Sequence, residues 1–155
     1  MTALMPIACE RVEDTEALGA RIGFALERGD LVSLEGPLGA GKTSLVRGIA
    51  AGLGADARAV RSPTFVLHHV YPGATFALHH LDLYRLGAGA ALELLDLDGL
   101  LETGAVVAEW GDLAALDHWG PLRIVAAIDE RRGRTFTLLS QDVPARIRAG
   151  WDGAP

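Results

Sequence analysis

The stretch GPLGAGKT, residues 36–43, decides the fold of this chain. It fits the pattern G-x-x-x-x-G-K-[ST], whose glycines let the loop backbone turn its N–H groups toward a phosphate. Lys42 is the only lysine of the chain. In this pattern the lysine reaches the β- and γ-phosphates, and the hydroxyl of Thr43 is placed to bind Mg²⁺. The stretch therefore predicts a nucleotide-phosphate site.

The residues on both sides of this loop favour the setting that the motif requires. Leu31–Glu35 is typical of a short buried strand. After the loop, apolar residues recur at helical spacing up to Leu53, and Gly54 is a natural end for that helix. A chance match to so short a pattern would not be expected to lie between a strand and a helix. The flanking residues therefore favour a functional loop.

The composition is that of one ordered globular domain. The chain has 155 residues, of which 50% are hydrophobic and 22% charged, which allows a single core. We expect one domain over residues 1–155, with its core at about 14–140 and a loose C-terminal end. Motor-type and ring-forming ATPase modules usually need considerably more chain than this.

Charge and cysteine content limit the partners and the compartment. The net charge of −6 argues against a protein that binds nucleic acid by itself through neutralisation of phosphates. No apolar run of the sequence is long enough to span a bilayer, and the N-terminus lacks the features of a signal peptide. Cys9 is the only cysteine and has no partner for an internal disulfide. A cytoplasmic location fits these features best.

Hydrophobic patterning predicts the other elements. Asp14 is a plausible N-cap for a first helix that ends at Gly29. Further elements are strands at Phe65–Tyr71 and Ala74–Leu81 around a Pro72-Gly73 turn, a helical piece at Gly87–Leu101 broken near Asp96–Asp98, and strands at Ala105–Glu109, Leu122–Ile128 and Arg134–Leu139. This order predicts a three-layer, P-loop NTPase-like α/β domain with a mixed, centrally parallel sheet and antiparallel additions.

Two acidic residues stand at the ends of predicted strands. Asp82 follows the strand that ends at Leu81, and Glu109 ends the strand that starts at Ala105. Acids in this position lie at the edge where open α/β sheets bind ligands. Both are therefore candidates for catalysis beside Mg²⁺ or the attacking water. The alternative is that either acid caps its strand or pairs with Arg85.

Other polar or aromatic residues give weaker signals. Thr64, in the segment Ser62-Pro63-Thr64, could sense a γ-phosphate through its hydroxyl or belong to an ordinary turn. Trp110 could cover the nucleotide or a partner surface, or pack in the core. The arginines at residues 131–134 favour a solvated turn over contact with a nucleotide or partner.

The histidine pairs at residues 68–69 and 79–80 could suggest a metal cluster. Adjacent residues on a strand point to opposite faces, so at most one of each pair can face a given site. A structural or surface role is therefore favoured for His68, His69, His79 and His80.

The chain carries four motifs in this order: the loop at residues 36–43, SPTF at residues 62–65, H-x-D-x-Y-R-L at residues 80–86 and the pair Glu109-Trp110. Together they resemble the TsaE (YjeE) family of small bacterial P-loop ATPases, which serve threonylcarbamoyladenosine modification of tRNA. The resemblance covers about Asp14 to Leu139. The chain departs from the family at Pro37, where an acid is usual, and at Gly111, where proline is common.

This resemblance implies a set of site residues. ATP with Mg²⁺ would bind at Leu38, Gly39, Ala40, Gly41, Lys42, Thr43 and Ser44. The resemblance further implies Thr43 and Glu109 at the metal, Asp82 near the γ-phosphate and water, and Thr15 and Arg134 near the nucleotide. Lys42, Asp82 and Glu109 would be the catalytic residues.

The resemblance also implies weak ATPase activity alone and function in a complex with the proteins TsaD and TsaB. Those partners would carry the threonylcarbamoyl transfer and most of the tRNA contact, which suits the acidic charge of this chain. We expect the segments Ser62–Thr64 and Glu109–Trp110 to change position with the nucleotide and to gate docking onto the partners.

Two rival functions remain open at this point. A small-molecule kinase would need an acceptor pocket and an arginine-bearing lid, for which residues 131–134 are the only candidate. A binding module that does not hydrolyse ATP is the other. Guanine specificity is disfavoured, because the N-K-x-D type of motif needs a second lysine.

Overall fold

Eight strands form one sheet in the part of the chain that the structure, a computed structural model, describes: residues 1–61, 67–84 and 95–153. They are β1 Thr2–Ala3, β2 Ile7–Cys9, β3 Leu31–Glu35, β4 His68–Tyr71, β5 Ala77–Asp82, β6 Gly104–Glu109, β7 Leu122–Ile128 and β8 Arg134–Ser140. Their order across the sheet is β1-β8-β7-β3-β6-β5-β4, with β2 also paired to β8.

Parallel pairing occupies the middle of this sheet. β3 runs parallel to both β6 and β7, and β5 runs parallel to β6, whereas β1, β2, β4 and β8 pair antiparallel. The predicted mixed, centrally parallel sheet is thus confirmed. The register places Glu109 beside Leu34 on one side and Asp82 on the other. The carboxyl ends of β3, β5 and β6 therefore meet at one edge.

Helical segments cover both faces of the sheet. The α-helices that have both ends within the described residues are α1 Val12–Ala25, α2 Lys42–Gly52, α3 Leu97–Thr103 and α4 Ala145–Asp152. Val32 and Val107 belong to the large core beneath α1, α2 and α4, while Leu31 and Val106 belong to a smaller core with Leu97 of α3. Because successive strand residues face opposite sides, these cores form the two interfaces of a three-layer domain. None of the helices in the described ranges is both long and apolar enough to cross a bilayer.

Helix α2, which carries Lys42, lies very close to α1. A Cβ added to Gly48 would stand 2.2 Å from the backbone oxygen of Glu16. Only glycine permits this approach, which places α2 directly against α1.

The first helix differs from its predicted bounds. It begins at Val12, with Arg11 as the N-cap, and the carboxylate of Asp14 accepts a hydrogen bond from the backbone N–H of Arg11 at 3.0 Å. Asp14 is therefore the third residue of the helix, where its carboxylate binds the N-cap N–H, and is not the N-cap. The helix ends at Ala25 because Leu26 is extended, with ψ 147°.

The prediction of a loose C-terminal end is wrong. Residues Ala145–Asp152 form α4, where Trp151 is 1% exposed and its Nε1 donates a hydrogen bond to the backbone oxygen of Met5 at 2.9 Å. The apolar residues of this short helix are too few to give a clear period. Contacts with a distant part of the chain stabilise it instead.

Other bounds shift by a few residues. Strand β5 begins at Ala77 and not at Ala74. Its pairing with β6 starts at Ala77, and the N–H of Ala74 donates to the backbone oxygen of Leu53 instead. The predicted helix break is present at Asp96, which has φ 47°, and α3 continues to Thr103. Residues 65–66 and 87–94 of the predicted elements lie outside the described residues, as does Thr64.

Candidate nucleotide-binding site

The glycine-rich loop joins the end of β3 to the start of α2, as the sequence predicts. Gly36, Gly39 and Gly41 have φ values of 138°, 78° and 94°. Side chains with a Cβ are strained at such angles, so the glycines give the loop a shape that other residues resist. A Cβ on Gly36 would also lie 2.4 Å from the backbone oxygen of Ala126.

Lys42 folds back over this loop. Its Nζ donates hydrogen bonds to the backbone oxygens of Gly36 at 2.5 Å and Pro37 at 3.0 Å, and it lies 3.8 Å from the centroid of the Trp110 ring. Burial lowers the pKa of Lys42, and the nearby carboxylates of Glu109, Asp112 and Asp82 oppose that shift. A buried ammonium whose described partners are carbonyls and a ring would gain from a bound anion.

Thr43 and Glu109 meet beside the ammonium. The Thr43 Oγ1 donates a hydrogen bond to Glu109 Oε1 at 3.0 Å. The parallel register of β3 and β6 brings Glu109, at the end of β6, next to the strand that enters the loop. A hydroxyl and a carboxylate are the kind of oxygen ligands that Mg²⁺ takes beside bound phosphates, so these two residues fit that ion.

His80 lies behind Glu109, although its sequence pattern favoured a structural or surface role. Its Nε2 is 2.6 Å from Glu109 Oε2, and the side chain of His80 is fully buried. The sequence did hold a signal, because His80 and Asp82 are two residues apart on β5 and so share a face. Its neighbour His79 points the other way, toward His68 at 2.9 Å and Thr103 at 2.8 Å.

Asp82 has different surroundings from Glu109. It is buried at the end of β5, where its Oδ1 accepts a hydrogen bond from the backbone N–H of Tyr84 at 2.9 Å. It is not among the residues that line the cleft described below. Its charge nevertheless reaches Lys42, whose pKa it helps to raise. The contact with Tyr84 is that of a strand cap. A role of Asp82 near the γ-phosphate is therefore a proposal.

A cleft of about 350 Å³ opens above the loop. This volume is within the usual range for small-molecule sites. Its lining includes these residues that the sequence predicted at the nucleotide or its metal ion: Thr15, Leu38, Gly39, Ala40, Gly41, Lys42, Thr43, Ser44, Glu109 and Arg134. Thr64 falls outside the described residues, so the structure does not place it.

The opposite wall of the cleft is the segment Cys9–Val12, which sequence reasoning missed. Its position follows from the pairing of β2 with β8, where Cys9 stands opposite Arg134. Arg134 in turn donates a hydrogen bond from Nε to the backbone oxygen of Gly39 at 3.0 Å. No local motif in the sequence marks this segment, because only the long-range pairing brings it to the loop.

Trp110 closes the side of the cleft next to Glu109. It has φ 61°, a left-handed conformation that is strained for a bulky residue. Its ring contacts the ring of Tyr84 at a centroid distance of 5.1 Å and carries Lys42 on its face. Trp110 therefore lines the candidate site, and its place there decides against the core-packing alternative.

Comparisons with known proteins point to one family. A family model described as threonylcarbamoyl adenosine biosynthesis protein TsaE matches residues 9–136. A protein of Mycobacterium leprae named tRNA threonylcarbamoyladenosine biosynthesis protein TsaE is 47% identical over 68% of this chain and 70% of its own. The protein of that name from Bacillus subtilis is 37% identical over 82% of this chain and 81% of its own.

A solved structure is similar over nearly the whole fold. The crystal structure of YdiB from Bacillus subtilis superimposes with a TM-score of 0.73 at 27% sequence identity. The match covers 98% of this chain and 93% of the other.

Proposed function

The chain belongs to the TsaE family, and from this premise we propose that it binds and hydrolyses ATP with Mg²⁺ in the biosynthesis of threonylcarbamoyladenosine in tRNA. Family membership implies a nucleotide-binding protein, and the names of the relatives give the pathway. The observation that carries the finer proposal is the contact of Thr43 with Glu109 beside the buried Lys42.

The loop and Lys42 hold the phosphates in this proposal. The backbone of residues 38–44 surrounds the β- and γ-phosphates, and the Nζ of Lys42 exchanges its carbonyl partners for phosphate oxygens. The phosphate oxygens are negatively charged whereas the carbonyl oxygens are neutral, so the attraction of opposite charges favours this exchange. The ring of Trp110 keeps the ammonium close to the loop before the nucleotide arrives.

Thr43 and Glu109 would hold Mg²⁺ through their side-chain oxygens. When bound, the ion neutralises charge on the β- and γ-phosphates. We propose that Asp82 orients the attacking water from the neighbouring strand end, where its charge already lies near Lys42. Thr15 and Arg134 would contact the rest of the nucleotide from the walls of the cleft.

We further propose that the ATPase is weak alone and works with TsaD and TsaB, in the cytoplasm. The acidic chain leaves tRNA contact to those partners. Glu109 and Trp110 would change position with the nucleotide and so gate docking; Ser62–Thr64, the other segment expected to do so, lies outside the described residues. By linkage, ATP then strengthens partner binding by the same factor, typically about 5–150-fold, by which the partners strengthen ATP binding.

The test is the fate of the γ-phosphate. ATP and Mg²⁺ are supplied to the chain alone and with TsaD and TsaB, and free phosphate and phosphorylated products are both measured. We expect slow phosphate release by the chain alone and faster release with the partners. A phosphorylated small molecule would favour the kinase, and ATP-dependent partner binding without hydrolysis would favour the binding module.

A further inference from the structure

A line of buried polar side chains continues behind Glu109. Its Oε2 contacts His80 Nε2 at 2.6 Å, and His80 Nδ1 contacts the hydroxyl of Tyr71 at 3.1 Å. His80 and Tyr71 are buried, on adjacent strands β5 and β4. Neither residue lines the cleft, and the roles proposed above use neither of them.

The donors along this line follow from the geometry. Glu109 already accepts from Thr43 at Oε1, so as a carboxylate it accepts from the Nε2–H of His80 at Oε2. The hydroxyl of Tyr71 lies nearer to His80 Nδ1, at 3.1 Å, than to the backbone oxygen of Arg61, at 3.4 Å. This contact at Nδ1 holds the imidazole ring with its Nε2 directed at Glu109.

The two oxygens of Glu109 thus have separate partners. His80 takes Oε2 on the buried side, and this leaves Oε1 directed at Thr43 and the loop. Without the imidazole, a buried carboxylate oxygen would lose its donor, at a cost that rotation of the carboxylate would relieve. That rotation would remove Oε1 from the position beside Thr43.

We propose that His80 is a positioning residue, which holds the Glu109 carboxylate in the orientation that the Mg²⁺–nucleotide site requires, with Tyr71 holding His80. This inference rests on the proposed function, because it assumes that Glu109 serves the cation. Partners behind ligating side chains commonly affect metal affinity by about 10–100-fold when they are replaced.

Two substitutions of His80 test the roles of its two ring nitrogens separately. In His80→Gln the amide nitrogen can take the place of Nε2 and still donate to Glu109. In His80→Asn the amide group takes the place of Nδ1, so contact with Tyr71 is kept and the donor to Glu109 is lost. The two variants are both neutral amides, and they differ in reach.

The readout is the affinity for ADP measured by isothermal titration in Mg²⁺ and in EDTA, with melting temperatures as a check of folding. The affinity gain is the ratio of ADP affinity in Mg²⁺ to ADP affinity in EDTA, and we expect it to be at least tenfold smaller in His80→Asn than in the wild type. His80→Gln should keep that gain within about threefold, and affinity in EDTA should be alike in all proteins, because the loop is untouched.

A merely structural role predicts lower melting temperatures with an unchanged effect of Mg²⁺, and that result would overturn the inference alone. Equal losses in the two variants would also overturn it. If Mg²⁺ gives the wild type no gain in affinity, the proposed function fails together with the inference. If His80→Asn does not fold, Tyr71→Phe, which removes one hydroxyl, takes its place in the test. We expect this variant to lose severalfold of the affinity gain that Mg²⁺ gives the wild type. An unchanged gain would overturn the role of Tyr71.

Discussion

The glycine-rich loop is shaped by its own backbone, whereas the strand ends beside it depend on side chains from distant parts of the chain. Gly36, Gly39 and Gly41 set the loop within a few residues of Lys42. At the strand ends, Glu109 reaches its place through the register of β3 and β6 and through contacts with Thr43 and His80. A contiguous motif can encode the first arrangement, while the second exists only in the folded sheet.

The strand ends also differ from each other. Asp82 and Glu109 stand side by side in the register of β5 and β6. Glu109 faces the cleft, while Asp82 accepts the backbone N–H of Tyr84. Two acids with the same sequence signal thus have different surroundings, and substitutions can show how far their roles differ.

The largest effect should come from the loop. Lys42→Ala removes a charge-assisted contact with the β- and γ-phosphates, which is worth roughly 1.5–3 kcal/mol. Nucleotide affinity should fall by about tenfold to a hundredfold in isothermal titration. The melting temperature should stay near that of the wild type, because the desolvation cost of the buried ammonium is removed together with its hydrogen bonds. Unchanged affinity in a folded variant would contradict the assignment of the loop.

The next effect should come from the strand ends, in turnover more than in folding. Asp82→Ala and Glu109→Ala should each reduce phosphate release by the assembled system by about tenfold or more. Asp82→Asn is the matched test of the capping alternative, because the amide oxygen can still accept the N–H of Tyr84. Full turnover in Asp82→Asn, with a lower melting temperature in Asp82→Ala, would establish Asp82 as a strand cap only.

A smaller effect is expected on the far wall of the cleft. Arg134 is exposed at its guanidinium and holds the backbone oxygen of Gly39. Arg134→Ala should therefore weaken nucleotide binding only severalfold in titration, since exposed charges are screened. Arg131→Ala, on the same turn and exposed, is the matched control and should have no effect. Equal losses in both variants would point to general charge and not to a contact.

The smallest effect concerns the face of β5 that points away from the site. Burial lowers the pKa of both His68 and His79. Below about pH 6.5 the folded protein then binds fewer protons than the unfolded chain. The free energy of unfolding therefore has its full value above that pH and falls as the pH decreases. The melting temperature should fall between pH 7.5 and pH 5.5, and less so in His79→Gln. The exposed His118→Gln is the control, and it should follow the wild type; an equal fall in all three proteins would remove this pair as the cause.

The sequence predicted what is local. The loop, both flanking elements and the parallel centre of the sheet were predicted because their signals lie within short windows. Helix α4 was missed because Trp151 packs into the large core and donates to the backbone oxygen of Met5, both formed by distant parts of the sequence. The Cys9–Val12 wall and the bond from His80 to Glu109 were missed for the same reason, since strand pairing creates both.

The most direct test of the central claim compares the loop and the strand end in one titration series. ATP affinity is measured for the wild type, Lys42→Ala and Glu109→Gln, each in Mg²⁺ and in EDTA. We expect Lys42→Ala to be weak in both conditions, because the loop acts on the phosphates themselves. Glu109→Gln should match the wild type in EDTA and fall at least tenfold below it in Mg²⁺. A Glu109→Gln variant that binds ATP as tightly as the wild type in Mg²⁺ would contradict the assignment of the strand end to the cation.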